Sequence, residues 1–345
     1  MRAVVIHGPR DLRVEERARE APGPGEVEVA IEAGGICGSD LHYYHHGGFG
    51  AVRVREPMIL GHEVAGRVVA LGDGVEGLAP GDRVAVSPSR PCGACRYCLE
   101  GLPNHCLHMR FYGSAMPFPH IQGAFRERLV ALASQCHRVA DGVPAAVAAM
   151  AEPLAVTLHA VARAGSLLGA RVLVTGCGPI GALVIVAARV FGAREIVATD
   201  VAEPVLGVAR AVGADRTINV AAEPEALGGY GADKGSFDVQ FECSGNDRAV
   251  ASGLEVLRPR GTLVQLGLGS GAMAVPMNVV TAKEIEVRGS FRFHDEFGLA
   301  VDLINRGQVD LAPLITGGYP VEEAVAAFEA ATDRSRSMKV HLAFG

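Results

Sequence analysis

Apolar and polar residues alternate near the start of the chain: Val27, Val29 and Ile31 interleave with Glu26, Glu28, Ala30 and Glu32. A period of two predicts a strand with one face in a core and the other face wet. Val64 to Leu71, a Gly-Asp-Gly break, and Arg83 to Val86 repeat the theme. The first part of the chain therefore reads as β-rich, a partly open barrel or a sandwich. From Ala145 the texture changes to alanine-rich helix and then to βα alternation. Residues 171–175 predict a buried strand, 176–181 a turn, 182–191 a helix and 195–200 the next strand. Further strands are predicted at 215–220, 238–243, 262–268 and 286–290, with helices between them. Residues 297–305 and 321–331 then read as helices, and 338–344 as a strand. The fold class is α/β, with a β-rich unit ahead of a doubly wound parallel sheet.

A chain of 345 residues is comfortable for two domains, each burying its own core. The formal net charge of −6, with no cluster of Lys or Arg, offers no surface for a phosphate backbone and excludes a nucleic-acid partner. The uncharged stretch between Arg171 and Arg189 falls short of a bilayer and is broken by Gly176, Gly178, Pro179 and Gly181, so no membrane partner is expected. Met1 leads into Ala3-Val4-Val5-Ile6 without a cationic, cleavable leader, and the expected location is cytoplasmic.

Cys92, Cys95, Cys98 and Cys106 put four thiols into fifteen residues, spaced so that their sulfurs can converge on one tetrahedral ion. Such a closed thiolate set is a structural zinc site. Two disulfides are the alternative, but Cys37, Cys136, Cys177 and Cys243 stand singly in apolar segments, which suits a reducing compartment.

Strand, glycine turn, helix, strand and acid follow in the order that dinucleotide binding requires. Gly176 permits the turn, Gly178 lets the backbone approach a pyrophosphate, Gly181 brings helix and strand together, and Pro179 and Ile180 lie in the same turn ahead of the helix N-terminus that meets the phosphates. Asp200 can accept both ribose hydroxyls and would repel a 2′-phosphate, so NAD is expected over NADP; Arg210, the nearest downstream cation, reads as solvated. Leu266 and Gly267 end a strand where a nicotinamide ring would lie.

Cys37, His62, Glu63 and Glu152 ask for a second metal site. A thiolate, an imidazole and a carboxylate can hold zinc and leave one position open for an oxygen. Each alone has a plainer reading: a small buried hydrophobe, a hydrogen-bonded core histidine, a charge at a helix start. Together, and beside a nucleotide fold, they form a recognisable set.

In that set the chain resembles the zinc-containing medium-chain dehydrogenases. Gly61-His-Glu-x-x-Gly66, followed after five residues by Gly72 and after two more by Val75, matches their zinc signature, and the cysteine lobe and glycine turn fall in their order. The resemblance implies a GroES-like catalytic domain at 1–148 and 289–345, carrying the structural zinc lobe, around a Rossmann domain at 149–288. It implies NAD and two zinc ions per chain, hydride transfer from a secondary alcohol, and a homodimer or homotetramer. Glu152 stands where alcohol dehydrogenases place a second cysteine ligand, which points to the polyol branch similar to sorbitol dehydrogenase; either Glu63 or Glu152 can then complete the catalytic site. Ser39 and His42 occupy the places of that family's proton relay, and Arg292 the place of an arginine that reaches the cofactor.

Residues 37–49 and 109–120 look more like an aldonate-oxidising member of the branch, so a sugar acid is expected as substrate with a neutral polyol as the alternative. A buried carboxylate needs a cation. Arg110, Arg292, His45 and His120 are candidates, with Arg110 in the aldonate-like segment and Arg292 better suited to the cofactor, and Tyr43, Phe111 and Phe118 could wall the pocket. A dinucleotide-binding protein without chemistry is the reading from another class. It predicts a missing ligand or relay residue, and none is missing.

Overall fold

The computed structural model describes residues 1–269 and 271–345. Residues 26–138 supply five strands of a seven-stranded sheet that the last part of the chain completes, and residues 2–16 with 58–59 form a separate three-stranded sheet. The five strands are β1 (Glu26–Gly35), β2 (Glu63–Leu71), β3 (Arg83–Val86), β4 (Arg128–Leu132) and β5 (Cys136–Arg138), and helix α1 (Gly38–His46) leaves the end of β1. The helical stretch 145–164 follows, most of it in α2 (Ala151–Ala164). It is long and apolar enough to cross a membrane, but 67% of its apolar window is buried against other elements. It is the core helix between the two sheets, and Ala65 and Ala85 of the first sheet share its hydrophobic cluster with Val172 and Val174 of the second.

The second sheet alternates strands and helices: β6 (Arg171–Thr175), α3 (Pro179–Val190), β7 (Glu195–Asp200), β8 (Arg216–Asn219), β9 (Phe237–Glu242), α4 (Asp247–Val256), β10 (Leu257–Gln265) and β11 (Glu286–Gly289). All its strands are parallel, in the order β8-β7-β6-β9-β10-β11. The chain therefore reverses direction across the sheet between β6 and β9, which opens a crevice at the strand C-termini. Helix α3 begins at Pro179, three residues before the predicted start, because proline at the first helical turn has no N–H to lose. Strand β10 begins at Leu257, ahead of the prediction, and stops at Gln265.

The chain ends with α5 (Glu296–Asn305), β12 (Ile315–Pro320), α6 (Ala324–Thr332) and β13 (Lys339–Ala343). Strand β13 runs antiparallel to β1, pairing His341 with Gly35, and parallel to β12 on its other side. The first sheet thus reads β5-β3-β2-β1-β13-β12, with β4 also on β1.

The alternation in β1 holds for Val27, Val29 and Ile31, which are buried, but Glu28 is not on a wet face. Glu28 is 1% exposed, and Arg19 closes over it with Nε and Nη2 at 2.5 and 2.6 Å. A bidentate guanidinium offsets the desolvation of a carboxylate that an unpaired site would not tolerate.

A side-chain hydrogen bond ties α2 to α5. His159 Nδ1 lies 2.8 Å from Glu296 Oε1. Burial alone would raise the Glu296 carboxyl, but His159 and the His294 N–H outweigh it and bring it down to about 2. A carboxyl depressed in the folded state contributes stability above its unfolded value, and that contribution is lost as pH falls toward the folded value. The melting midpoint of Glu296→Gln should lie below that of wild type near neutrality, and the gap should close between about pH 4.5 and pH 2. A gap constant with pH would remove this assignment.

Candidate active site

Helix α1 starts where β1 stops, with Cys37 as its N-cap. Asp40, in the first turn and fully buried, accepts the Cys37 N–H through Oδ2 at 3.0 Å and the Gly61 N–H through Oδ1 at 3.2 Å. One carboxylate thus fastens the helix start to the turn that carries His62 and Glu63. The ligand atoms of Cys37, His62 and Glu63 all lie within 4.8 Å of one another. His62 Nδ1 is buried without a hydrogen-bond partner among the described residues, 3.9 Å from Asp40 Oδ1. Both oxygens of Glu63 are met by Lys339 Nζ, at 2.8 and 2.7 Å.

Glu152, in the first turn of α2, is buried beside this trio without joining its tight cluster. Burial pushes the Cys37 thiol up to about 12 and the Glu152 carboxyl up to about 8. Burial opposes the Lys339 charge, yet Glu63 and Cys37 outweigh it and raise its ammonium above the ordinary value. The donor set fits a divalent ion: soft sulfur, imidazole and carboxylate converge, and an arriving cation would supply the charge that lets thiol and carboxyl ionise. Asp40 beside the imidazole is the kind of outer partner that orients a ligating histidine.

The cysteine lobe shows the geometry of ligands and not of disulfides. Sγ atoms of Cys95 and Cys98 are 3.6 Å apart, and those of Cys95 and Cys106 are 4.0 Å apart. Zinc–sulfur bonds of about 2.3 Å at tetrahedral angles need roughly this separation, whereas a disulfide needs about 2.05 Å. Backbone N–H groups of Cys92 and His108 donate to Cys106 Sγ, and that of Cys95 to Cys92 Sγ, which favours thiolates. Hydrogen bonding from the backbone brings Cys95 down to about 6.

The glycine turn lies at the C-terminal end of β6. Gly176 has φ of +85°, and a Cβ on Gly181 would sit 1.8 Å from the Gly176 carbonyl oxygen, so helix and turn could not close with any other residue there. Gly178 is the N-cap of α3, followed by Pro179 and Ile180. Asp200, at the end of β7, accepts the Cys177 N–H at 2.7 Å and the N–H groups of Val201 and Ala202 at 2.7 and 3.0 Å. Arg210 is half-exposed and paired with Glu203, as its solvated reading requires. Leu266 and Gly267 both donate their N–H groups to the Glu242 carbonyl, holding the end of β10 against β9.

Other candidates separate sharply. Ser39 and His42 stand one helical turn apart on α1, Ser39 half-buried and His42 exposed. Partial desolvation of its ring, with the nearby charges of His46, Arg334 and His45, holds His42 below its ordinary value. Arg292 lays its guanidinium over Phe111 at 4.3 Å, and Phe111 in turn packs on His62 at 5.5 Å. Its φ of +55° is a left-handed backbone that costs a non-glycine residue about 1–3 kcal/mol. Tyr43 is buried, its hydroxyl accepting the Ala115 N–H. Phe118, by contrast, is 56% exposed beneath Arg55 and walls nothing. His45 turns to Thr332 at the surface, and Arg110 is exposed. His120 is buried with both ring nitrogens occupied, by the Pro117 carbonyl and the Arg55 N–H. None of these three is a free cation facing the trio.

Two residues that the sequence reading passed over belong to the site. Asp40 was signalled by its position three residues after an N-cap, where an acid answers the cap's own N–H. Lys339 was signalled by a lone formal charge in the run 338–344, which is apolar but for His341.

Residues 23–141 match the alcohol dehydrogenase GroES-like domain and residues 179–306 the zinc-binding dehydrogenase family. Over 340 residues the chain is 42% identical to L-idonate 5-dehydrogenase (NAD(P)(+)) of Escherichia coli K12, covering 99% of this chain and 98% of that protein. The chain belongs to the zinc-binding dehydrogenases. Among this family it is also 37% identical to sorbitol dehydrogenase of Gallus gallus, over 99% of this chain and 95% of that protein. The crystal structure of the Escherichia coli L-idonate 5-dehydrogenase superimposes with a TM-score of 0.95 at 43% identity, covering 99% of this chain and 98% of that one. That of 2R,3R-butanediol dehydrogenase from Bacillus subtilis gives 0.90 at 27% identity, with 99% of each chain covered. The expected fold, a GroES-like unit with a Rossmann sheet, is the fold observed. As a zinc-binding dehydrogenase the protein is an enzyme that uses zinc and a nicotinamide cofactor on a small-molecule alcohol.

Proposed function

We propose that this enzyme oxidises L-idonate at C5 to 5-ketogluconate, with NAD as hydride acceptor. The observation that carries the reading is Arg292. It is the one candidate cation that leans on the wall of the trio, where a sugar acid's carboxylate needs a counter-charge. The near full-length likeness to the Escherichia coli L-idonate enzyme supports it.

In this reading Cys37 and His62, with Glu63 or Glu152, hold a catalytic zinc, and Cys92, Cys95, Cys98 and Cys106 hold a second, structural one. The catalytic ion supplies Lewis acidity toward the substrate hydroxyl. A bound nicotinamide would accept the hydride from the carbon that bears this hydroxyl. Ser39 receives the hydroxyl proton and His42, exposed one turn away, passes it to water. Arg292 fixes the carboxylate end of the substrate, while Phe111 and Tyr43 exclude water beside it.

Gly176, Gly178, Pro179, Ile180 and Gly181 hold the pyrophosphate, with Leu266 and Gly267 beside the nicotinamide. Asp200 selects NAD, since its charge would repel a 2′-phosphate and Arg210 is already committed to Glu203. The catalytic unit comprises 1–148 and 289–345, the nucleotide unit 149–288.

A sorbitol or xylitol dehydrogenase is the second reading, favoured by the sorbitol dehydrogenase relatives. L-Idonate, D-gluconate, sorbitol and xylitol, each with NAD and with NADP and followed by reduced-cofactor absorbance, separate the two. L-Idonate with NAD should give kcat/KM at least about tenfold above any other pair, the discrimination expected when a buried cation loses its partner. Turnover of the neutral polyols alone would end the sugar-acid reading, and equal use of NADP would end the role of Asp200.

A further inference from the structure

We propose that Lys339 is a built-in competitor of the catalytic metal ion for the Glu63 carboxylate. The inference rests on the metal reading of Cys37, His62 and Glu63 given above. Lys339 is 3% exposed and Glu63 1%. The ammonium places its donors on both Glu63 oxygens and, at 3.3 Å, on the Ile36 carbonyl. Three donors with three acceptors leave the cation fully satisfied, so the pair is complete without any further ligand. Yet an oxygen of the same carboxylate lies within 4.8 Å of both the Cys37 sulfur and a His62 nitrogen. One carboxylate therefore has two cationic claimants.

The backbone keeps it between them. Gly35 of β1 pairs with His341 of β13 on one side and with Glu63 of β2 on the other. A Cβ on Gly35 would stand 2.3 Å from Glu63 Oε2, so the carboxylate fills the space that the missing side chain leaves. At 1% exposure it has almost no contact with solvent.

Competition follows from where the charge would go. Without the ion, Lys339 is what neutralises a buried carboxylate, and removing it would leave that charge unpaired. With the ion in place, Glu63 has a second counter-charge and depends less on Lys339. Two cations that each relieve the same buried anion are negatively coupled, and the coupling is reciprocal. Lys339 thus stabilises the empty site and weakens zinc binding, which keeps the catalytic ion exchangeable.

The test compares whole protein stripped of metal and reloaded with zinc, for wild type, Lys339→Met and Lys339→Arg, reading zinc affinity by chelator competition and the melting midpoint of both forms. Stripped Lys339→Met should melt below stripped wild type, gain more on loading, and hold zinc about tenfold tighter, within the usual range of such coupling. Lys339→Arg, which keeps the charge, should restore wild-type affinity. Equal losses of stability in both forms with unchanged affinity, or weaker zinc binding, would overturn the proposal. Should Lys339→Met fail to fold, Lys339→Gln keeps a donor without the charge and must still bind zinc more tightly than wild type. Cys37→Ser separates the two levels: if it binds as many zinc ions as wild type, the metal reading itself fails, whereas unchanged affinity in the Lys339 variants alone defeats only the competition.

Discussion

Replacing Cys37 by serine should lower kcat at least about 10³-fold, with one of two zinc ions lost and the circular dichroism spectrum unchanged. Lewis acidity at the reacting oxygen is worth several kcal/mol, and each 1.4 kcal/mol is about tenfold in rate. Sulfur is the one soft donor in the trio, and a serine hydroxyl at that place is a poor zinc ligand. The fold should survive. Asp40 bonds the Cys37 backbone N–H and not its side chain, so the helix start and the Gly61 turn stay joined in the variant. Metal analysis beside steady-state rates decides it. Near wild-type turnover, or loss of both ions together, would show that the trio is not the catalytic centre.

Cys95→Ser should do the opposite: remove the other ion and lower the melting midpoint by on the order of 10 °C, while molecules that stay folded keep most of their kcat. The cysteine lobe has almost no core of its own. Leu99 is 76% exposed, Leu102 and Leu107 are exposed as well, and none of Arg96–Leu99 is buried. What the lobe has instead is the four-sulfur cluster, Asn104, whose side chain donates to the Phe291 carbonyl at 3.0 Å, and His105, stacked on the Phe291 ring at 5.7 Å. In such a segment metal binding energy is folding energy. At about 2–4 °C per kcal/mol for domains of moderate size, a fall of that magnitude corresponds to several kcal/mol. Calorimetry with metal analysis tests it, and a Cys95 variant that melts like wild type would leave the lobe without a structural role.

What could be read from the sequence was local. The glycine turn with its flanking strands, and the four cysteines within fifteen residues, declare themselves because all the chemistry sits in one short window. Helix α5 and strand β13 were legible from periodicity alone. The residues that escaped are those whose meaning is set by a distant partner. Lys339 and Glu63 are separated by 276 positions, and nothing near either one names the other. Glu28 looked like a solvated position because its neighbours alternate, and only the fold of Arg19 over it keeps it dry. Among the aromatic and cationic candidates, the sequence could not separate Phe111 and Arg292, which meet beside His62, from Phe118 and His120, whose partners lie elsewhere.

The pairing of β13 with residues 33–35 of β1 has a consequence for how the protein is made. While a ribosome delivers the roughly three hundred residues between them, the stretch leading into Cys37 presents open backbone, and the nucleotide sheet can fold first as a separate body. The trio of Cys37, His62 and Glu63 gains Lys339 only when that late strand docks. Until then the nascent first sheet is a template for mispairing, and folding in the cell should depend on chaperones that shield this seam far more than on anything that helps the parallel sheet.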